Sequence, residues 1–424
     1  MSLPASSRTL GEWLSWLETL DPTEIELGLD RVSTVLQGLS LKLDCRVLHV
    51  AGTNGKGSTV AMLDALLRSG GQTVGAYTSP HILHYNERVR VNGEVASDSA
   101  LVSAFERVEA ARGETRLTYF EFGTLAALCV FDEAGVDNML LEIGLGGRLD
   151  AVNAVTPDAG IITNIALDHC DWLGDNVEAI GAEKAGIMRS GKPFVFGARE
   201  MPRSVAAVAE EIDAHLYQLG KEYDYSRHDD GRWSYQSVSL ELPQLDPLPL
   251  AGEFQLQNAA AVFLLLEVLQ EFALLEVERI NGAFGDLRLP GRFDQVKRER
   301  QWIIDVAHNA AAADALANAL QLEGKRGMSC IIGVLDDKDV DAIVETLAPF
   351  VDEWLAVPAA GSRAVPAYEL GRVVANLTGR ACRVCASVEE ACASLDGAAG
   401  GDILATGSFM TVAPVMEWLQ ANGD

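Results

Sequence analysis

Basic residues are scarce in this 424-residue sequence, in which 33 lysines and arginines stand against 61 aspartates and glutamates and give a formal net charge of −28. Such a charge repels phosphate backbones and anionic lipid surfaces. We therefore expect no nucleic-acid partner and no membrane partner. Small anionic substrates remain compatible with the sequence if lysine and arginine are concentrated at one site.

Long uninterrupted apolar runs are also missing. The most apolar stretch, 259–275, contains Glu267 and Glu271, which indicates a buried helix and not a membrane span. The amino-terminal residues show no basic segment followed by an apolar one, so no secretory signal is predicted. These absences favour a cytoplasmic protein.

Cysteines are few and unpaired in pattern. The seven cysteines are odd in number and scattered, as expected of free thiols in a reducing compartment. Cys382 and Cys385 form one C-x-x-C, but no second pair follows it, so packing is the default interpretation over zinc or redox use.

The apolar content of 48% is enough for two hydrophobic cores in a chain of this length. Short apolar runs alternate with longer amphipathic ones, which predicts an α/β fold around mostly parallel sheets. Pro290 and Gly291 interrupt both periodicities. We predict a first domain over 1–288 and a smaller α/β domain over 289–424, with the region 217–250 forming peripheral hairpins.

The segment from Gly52 to Thr59 reads GTNGKGST and lies between a predicted strand, Arg46–Val50, and a predicted helix, Thr59–Arg68. Glycines allow close backbone approach, and successive N–H groups at a helix start attract phosphate oxygens. The spacing is not that of the general P-loop, because Gly57 intervenes before Ser58. The context still predicts phosphate binding, with Lys56 reaching the terminal phosphates.

Acid, imidazole and hydroxyl groups follow three other predicted strands. Glu142 ends an apolar strand, where an open α/β sheet presents ligands, and a Mg²⁺ ligand or an ion pair with an arginine are both compatible with it. The glycines after it lack the G-x-G-x-x-G spacing, which disfavours a dinucleotide site. His169 and Ser79 follow further strands and complete a candidate metal site, although a lone histidine is more often a satisfied polar residue.

Other charged residues are ambiguous on spacing alone. Lys184 is indistinguishable from a solvated surface lysine. Arg292, Asp305 and His308 in the predicted second domain are compatible with nucleotide and amine binding, or with interdomain ion pairs.

The motifs taken together, and in this order, resemble the folylpolyglutamate synthase family, relatives of the Mur ligases of peptidoglycan synthesis. The similar segments are LGLDRV at 27–32, AGTNGKGST at 51–59, TSPH at 78–81, NERVRVNG at 86–93, LTYFEFGT at 117–124, LEIGLGGRLDAVN at 141–153, IALDHCDWLG at 165–174, EKAGI at 183–187, LPGRF at 289–293 and DVAHN at 305–309. LTYFEFGT resembles bacterial bifunctional members that also make dihydrofolate from dihydropteroate.

The resemblance implies a Mur-ligase-like P-loop ATPase fold and a role for each matching residue. ATP would be held by Thr53, Asn54, Gly55, Lys56, Gly57, Ser58, Asn258, Arg292 and Asp305. Mg²⁺ would be held by Ser79, Glu142 and His169, Lys184 would be carbamylated, and His308 would lie near glutamate. The pterin side would be formed by Glu26, Leu27, Gly28, Thr118, Tyr119, Phe120, Glu121, Leu149, Asp150 and Ala151. The match around Asn258 is the looser one.

The function that this resemblance implies is addition of L-glutamate to dihydropteroate, and of further glutamates to reduced folates, with ATP and Mg²⁺. Because a carboxylate is a poor electrophile, the expected route is an acyl phosphate that the amine then attacks. Alternatives are a monofunctional folylpolyglutamate synthase, a Mur-type amino-acid ligase, or, from other classes, a P-loop ATPase, a kinase or a nucleotide-dependent scaffold. A monomer is expected.

Overall fold

The structure is a computed structural model of the chain, and it describes residues 8–20, 26–361, 363–397 and 399–423. These residues group into two compact units. The first unit comprises the described residues within Met1–Ile165, Leu173–Pro247 and Gln257–Leu287, and the second those within Ala166–Trp172, Leu248–Leu256 and Arg288–Asp424.

Helices and strands alternate along most of the chain. The α-helices are α1 (Leu10–Leu20), α2 (Asp30–Leu39), α3 (Lys56–Ser69), α4 (Asp98–Arg112), α5 (Tyr119–Ala134), α6 (Cys170–Leu173), α7 (Val177–Ala185), α8 (Arg203–Glu211), α9 (Phe254–Val268), α10 (Val277–Gly285), α11 (Ala310–Leu322), α12 (Val340–Leu347), α13 (Ala367–Thr378), α14 (Val388–Leu395) and α15 (Phe409–Ala421). The strands are β1 (Arg46–Ala51), β2 (Val74–Tyr77), β3 (Val89–Val91), β4 (Glu94–Val95), β5 (Asn138–Glu142), β6 (Ala159–Ile162), β7 (Pro193–Phe196), β8 (His215–Gln218), β9 (Tyr223–Arg227), β10 (Trp233–Ser237), β11 (Glu241–Leu245), β12 (Asp294–Lys297), β13 (Gln301–Ile304), β14 (Met328–Ile332), β15 (Val351–Ala356), β16 (Cys382–Val384) and β17 (Ile403–Thr406).

The first unit is built on an eight-stranded sheet in the order β4-β3-β2-β5-β1-β6-β7-β8. The six strands β2, β5, β1, β6, β7 and β8 pair in parallel. Strand β3 pairs antiparallel with both β2 and β4. The central strands β1, β5 and β6 are apolar and almost wholly buried, as strands covered by helices on both faces must be. Val50 of β1 is in register with Glu142 of β5 and with Ile161 of β6, so the carboxyl ends of these strands lie at one edge.

A separate antiparallel sheet, β11-β10-β9, belongs to the same unit. The ring of Trp233 stacks on that of Phe263 of α9 at 5.5 Å. The hydroxyl groups of Tyr235 and Ser237 both donate to the buried Glu267 carboxylate of α9. The predicted hairpins over 217–250 are therefore confirmed, and aromatic packing on α9 fixes their position.

The second unit contains a six-stranded sheet in the order β12-β13-β17-β14-β15-β16. All pairs are parallel except β12–β13. Helices α11 to α13 bury Leu316, Leu320, Ile343, Leu347 and Leu370 against this sheet. The two α/β folds confirm the predicted fold class, while the functional division at 288 and 289 stays a prediction.

Several element predictions needed correction. Helix α3 begins at Lys56 and not at Thr59, because Gly55 in the left-handed conformation already precedes its first turn. Helices α1, α2, α6, α8 and α13 and strands β3, β4, β12 and β16 were not predicted; these strands have two to four residues, too few for a clear period. None of the helices among the described residues has both the length and the apolar character that a bilayer crossing requires.

Candidate functional site

The glycine-rich loop joins the end of β1 to the start of α3 at the carboxyl edge of the large sheet. Gly55 caps the helix with φ 86°, and the Thr59 hydroxyl donates to the Gly55 carbonyl at 2.9 Å. A helix start of this kind presents N–H groups and a positive dipole end to an anion. The helix has 14 residues, and phosphate binding at its start stays a prediction.

Residues after β6 hold this loop in place. The Thr53 N–H donates to the Asn164 carbonyl at 2.9 Å, and the Asn54 N–H donates to Asn164 Oδ1 at 3.1 Å. The Thr163 hydroxyl donates to the Asn54 carbonyl at 2.6 Å. Sequence reasoning missed Thr163 and Asn164 as supports of the loop; their position directly after a buried strand was the available signal.

Two lysines converge on the loop carbonyls. Lys56 Nζ donates to the carbonyls of Gly52 and Thr53 at 3.1 and 3.0 Å. Lys184 Nζ donates to the same Gly52 carbonyl at 2.9 Å. Lys184 is 6% exposed, so the interpretation as a solvated surface lysine was wrong; helix α7 directs it inward beneath the loop.

Asn258 of α9 lies against the loop glycine. A Cβ atom added at Gly55 would stand 2.8 Å from Asn258 Oδ1 and 2.9 Å from its Nδ2. Asn258 is buried, and only a glycine in the left-handed region permits this approach. The structure therefore brings Asn258 to the predicted nucleotide loop, which the looser sequence match there had left open.

Ser79 and Glu142 are neighbours at the same sheet edge. The Ser79 N–H donates to Glu142 Oε2 at 3.2 Å. The same oxygen would lie 3.7 Å from a Cβ added at Gly57 in the first turn of α3. Glu142 is 4% exposed, so a buried carboxylate and a serine stand together beside the phosphate-binding loop.

His169 lies in the second unit, within a charged cluster centred on Asp168. The Asp168 carboxylate accepts from Lys338 Nζ at 2.6 Å and from Asn309 Nδ2 at 2.9 Å, and His308 Nε2 is 3.6 Å away. Burial raises the pKa of Asp168, but the nearby His308 and the ammonium group of Lys338 outweigh it and hold that pKa far below its usual range. Burial lowers the pKa of His169 to about 4, so its imidazole is neutral at pH 7.

Arg292 and Asp305 also lie in the second unit. Asp305 follows β13 and accepts the N–H groups of Phe293 and Ala307, each at 2.8 Å. Burial raises the pKa of Asp305, and the charge of Arg292 opposes that rise. The Arg292 guanidinium lies over the Phe409 ring, 5.2 Å from its centroid. Arg292 thus supplies a guanidinium, and Asp305 supplies a carboxylate that the backbone N–H groups of Phe293 and Ala307 hold in place.

Two of the predicted pterin-side segments are joined by Arg31. Its guanidinium donates to Glu121 Oε1 and to the Glu26 carbonyl, both at 3.0 Å, and also pairs with the Glu26 carboxylate. Glu121 is buried and forms a capping box with Thr118 at the start of α5. Arg31 was missed as a functional candidate, although it belongs to the LGLDRV motif.

The third predicted segment also touches the first. The Gly28 N–H donates to the Leu149 carbonyl at 3.2 Å. Asp150 is buried and accepts the N–H groups of Leu145 and Val152, and burial raises its pKa to about 6 against the effect of these bonds. The aromatic ring of Phe120 lies 6.0 Å from that of Tyr77. The remaining predicted residues in these segments are Leu27, Tyr119 and Ala151, of which the first two are half-buried and the last is buried.

Together these contacts describe a glycine-rich loop with two lysines and a buried carboxylate beside it, and three predicted pterin-side segments that are in contact with one another. Comparison with known proteins adds the family context. Residues 50–266 match the model of the Mur ligase middle domain, and residues 291–409 match that of the Mur ligase glutamate ligase domain.

Relatives are similar over nearly the whole chain. The chain is 43% identical over 422 residues to a dihydrofolate synthase/folylpolyglutamate synthase of Escherichia coli (strain K12), covering 99% of this chain and 97% of that protein. Among solved structures, E. coli FolC in complex with DHPP and ADP is similar with a TM-score of 0.91 at 42% identity, with complete coverage of both chains. A bifunctional folylpolyglutamate synthase/dihydrofolate synthase with Mn, AMPPNP and L-glutamate bound is similar with a TM-score of 0.88 at 40% identity, covering 99% of this chain and 100% of that one.

Proposed function

We infer that this chain, which belongs to the dihydrofolate synthase/folylpolyglutamate synthase family, is an ATP-dependent ligase that joins L-glutamate to dihydropteroate and further glutamates to reduced folates. The observation that carries this function is the similarity to bifunctional relatives along 99% of the chain. The structure supports it with a phosphate-binding loop of the required geometry. The Mur-type alternative is disfavoured because these relatives carry the folate names.

The reaction proceeds in two displacements. A carboxylate oxygen of the acceptor attacks the γ-phosphorus of ATP, and ADP leaves, so that an acyl phosphate forms. The amine of glutamate then attacks the acyl carbon and loses a proton. The bond between the acyl carbon and the phosphate oxygen breaks, and inorganic phosphate leaves. In the first step the N–H groups at the start of α3 and the ammonium group of Lys56 stabilise the charge of the phosphoryl group.

The residues present fit a magnesium ion. The Glu142 carboxylate and the Ser79 hydroxyl supply hard oxygen ligands beside the phosphate-binding loop, and His169 stays the third predicted ligand. Within the described residues no three side chains of His, Cys, Asp or Glu converge on one point. Such a set suits Mg²⁺, which keeps several waters and phosphate oxygens in its shell. When bound, the ion neutralises charge on the phosphates.

We also propose that Lys184 is carbamylated. The Nζ ammonium first loses a proton, the neutral amine then attacks carbon dioxide, and a nitrogen–carbon bond forms with loss of a second proton, so that a cation becomes an anion beneath the loop. The buried contact with the Gly52 carbonyl supports a role at the loop and not at the surface. Lys184→Ala should lose activity that a short carboxylate or added bicarbonate partly restores. The modification would be contradicted if a native mass spectrum of the active enzyme showed no added mass of a carboxyl group on Lys184.

The decisive experiment is ADP release by the purified enzyme with each acceptor, with and without L-glutamate. We expect release that requires both glutamate and either dihydropteroate or tetrahydrofolate. If tetrahydrofolate but not dihydropteroate supports glutamate-dependent release, the enzyme is a monofunctional synthase. Release with a muramyl nucleotide would favour the Mur-type alternative. Release without any acceptor would indicate an ATPase.

We place the enzyme in the cytoplasm, where ATP and reducing conditions prevail. All seven cysteines are free thiols, four of them buried, as expected in a reducing compartment. Cell fractionation with an antibody to the chain tests this placement, and recovery in a secreted or periplasmic fraction would contradict it.

A further inference from the structure

A groove opens in the first unit at the amino edge of the large sheet. Its volume is about 1040 Å³, and its wall is formed where β1, β5, β6 and β7 begin, together with the turn before β2 and the end of α9. Such a volume suits an organic molecule and not a single ion. The glycine-rich loop follows the opposite end of β1, a strand of 6 residues or ~20 Å. The groove is therefore separate from the predicted nucleotide site.

Carboxylates gather at this edge because the strands that they precede are neighbours. Asp137 and Asp158 stand directly before β5 and β6, the strands on either side of β1, and Asp44 stands shortly before β1 itself. Burial, and then these three carboxylates, raise the pKa of the Cys45 thiol to about 11. The thiol is thus neutral at pH 7, and the three carboxylates lie around it.

The two cations on the wall of the groove are already paired. Lys192 Nζ donates to Asp158 Oδ1 at 2.9 Å, and the Arg46 guanidinium donates to Glu271 Oε1 at 2.7 Å. Each pair is formally neutral. Neither cation therefore offsets the charge of the other carboxylates on the wall.

Asp44 and Asp137 supply the negative charge that remains. Both are exposed, and neither has a lysine or arginine as an ion-pair partner within the described residues. The N–H and hydroxyl groups of Thr73 donate to Asp137 Oδ2, both at 2.7 Å, and lower the pKa of Asp137. Strands β1 and β5 are paired and hence ~4.8 Å apart, so one ligand can reach both carboxylates. A cationic ligand is favoured and an anionic one disfavoured.

Asn138 adds a buried acceptor to the wall. It is 1% exposed. Its Nδ2 donates to Gln72 Oε1 at 2.8 Å, and Gln72 Nε2 donates in turn to Glu271 Oε2 at 3.2 Å. These bonds fix the direction of both amides and leave Asn138 Oδ1 without a hydrogen-bond partner among the residues that the structure describes. Because an unsatisfied buried acceptor is costly, a ligand that brings an N–H group is favoured beside it.

The wall also has an apolar part. Leu43, Val268 and Leu269 line the groove and are half-buried. Methylene groups pack on such side chains while an ammonium group at the end of the same chain stays at a polar or hydrated position. Carboxylates, a buried acceptor and aliphatic side chains together match a chain of methylene groups that carries several ammonium groups.

From these contacts we propose that the groove is a binding site for an aliphatic polyamine. The ammonium groups pair with Asp44 and Asp137 and donate to Asn138 Oδ1, while the methylene groups pack on Leu43 and Leu269. The net charge of −28 attracts such a cation from solution, and the groove gives it a defined place. Binding requires neither nucleotide nor acceptor, so this site is independent of the proposed ligase reaction.

The test is calorimetric titration of the purified chain with spermidine at low ionic strength. Nucleotide is left out because its phosphates would also attract the ammonium groups. The variant Asp44→Asn/Asp137→Asn is compared with Asp229→Asn/Asp286→Asn, which makes the same change of charge at exposed positions of the same unit. Loss of two solvent-screened ion pairs should raise the Kd about tenfold in the first variant. The second variant should stay within about twofold of the wild type.

Hydrogen exchange locates the bound spermidine. We expect added protection in the segments 43–46, 71–72, 137–138 and 268–270, which line the groove. Protection centred on the glycine-rich loop, or spread over the whole chain, would contradict the assignment.

Three other results would overturn the proposal. The first is a wild-type chain that shows no saturable binding of spermidine. The second is equal weakening in the two double variants, which would show that spermidine responds to overall charge alone. The third is binding of an oligolysine peptide but not of spermidine, which would make the groove a surface for a protein partner. If Asp44→Asn/Asp137→Asn does not fold, Leu269→Lys takes its place, since its ammonium group repels the ligand, and wild-type affinity there would also overturn the proposal.

Discussion

We expect the substitution His49→Leu to make the first unit more resistant to acid. His49 lies at the centre of β1, in register with Leu141 of β5 and Gly160 of β6, and it is fully buried. Neither ring nitrogen has a hydrogen-bond partner among the described residues. Burial, assisted by the positive charge of Arg189, lowers the pKa of His49 to about 3.

The sign of the effect follows from proton binding. Below its unfolded pKa of 6.5 the histidine takes up a proton in the unfolded chain, while the folded chain keeps it neutral down to about pH 3. The contribution of His49 to the free energy of unfolding is therefore fully present above pH 6.5, and it is lost progressively as the pH drops towards 3. At about 1.4 kcal/mol per pH unit, lowering the pH from 7.5 to 5 costs about 2 kcal/mol through this one residue.

Leucine has a similar volume and no nitrogen to leave unsatisfied. We therefore expect His49→Leu to match or exceed the wild type in unfolding free energy at pH 7.5, by up to about 3 kcal/mol. Its advantage should grow by about 2 kcal/mol at pH 5. Urea unfolding at both pH values, read together with hydrogen exchange of the β1 amides, measures the difference locally.

The exposed His215 on β8 provides the matched control, His215→Leu. Its unfolding free energy should follow that of the wild type at both pH values. If the wild type and His49→Leu lose stability in parallel between pH 7.5 and pH 5, then the folded chain accepts the proton at His49 and the reasoning is refuted.

Three further outcomes are expected. Lys56→Met should abolish ADP release with both dihydropteroate and tetrahydrofolate while leaving the melting temperature near that of the wild type; retention of either activity would separate the two reactions. Gly55→Ala should lose nucleotide binding in calorimetry because its Cβ would meet Asn258, whereas Gly113→Ala, which also has a positive φ but open space around it, should bind nucleotide as the wild type does. Arg31→Gln should raise the KM for dihydropteroate about tenfold or more through loss of its pair with the buried Glu121, and an equal rise in the KM for ATP would point to general unfolding instead.

The large sheet and the phosphate-binding loop could be predicted because their residues carry strong local signals. The apolar runs of β1, β5 and β6 are fully buried strands, and the glycines of the loop stand where the backbone needs them. The pairing of Ser79 with Glu142 also followed from strand ends that meet at one edge. These features could be predicted because each depends either on residues adjacent in the sequence or on strands of the same sheet.

Contacts between distant segments could not be predicted in the same way. The burial of Lys184 depends on the Gly52 carbonyl, 132 residues away, and the bond from Arg31 to Glu121 spans 90 residues. Amphipathic spacing on α7 does not reveal which carbonyl its lysine will meet.

The segment Ala166–Trp172 has a practical consequence for hybrid enzymes. It belongs to the second unit although it lies early in the chain, and its Asp168 is held by Lys338 and Asn309. A crossover between two relatives near residue 288 would pair an aspartate from one parent with a lysine and an asparagine from the other. Grafts that transfer 166–172 and 248–256 together with the carboxyl-terminal part keep these partners from the same parent, so recombination designs should exchange three pieces and not one.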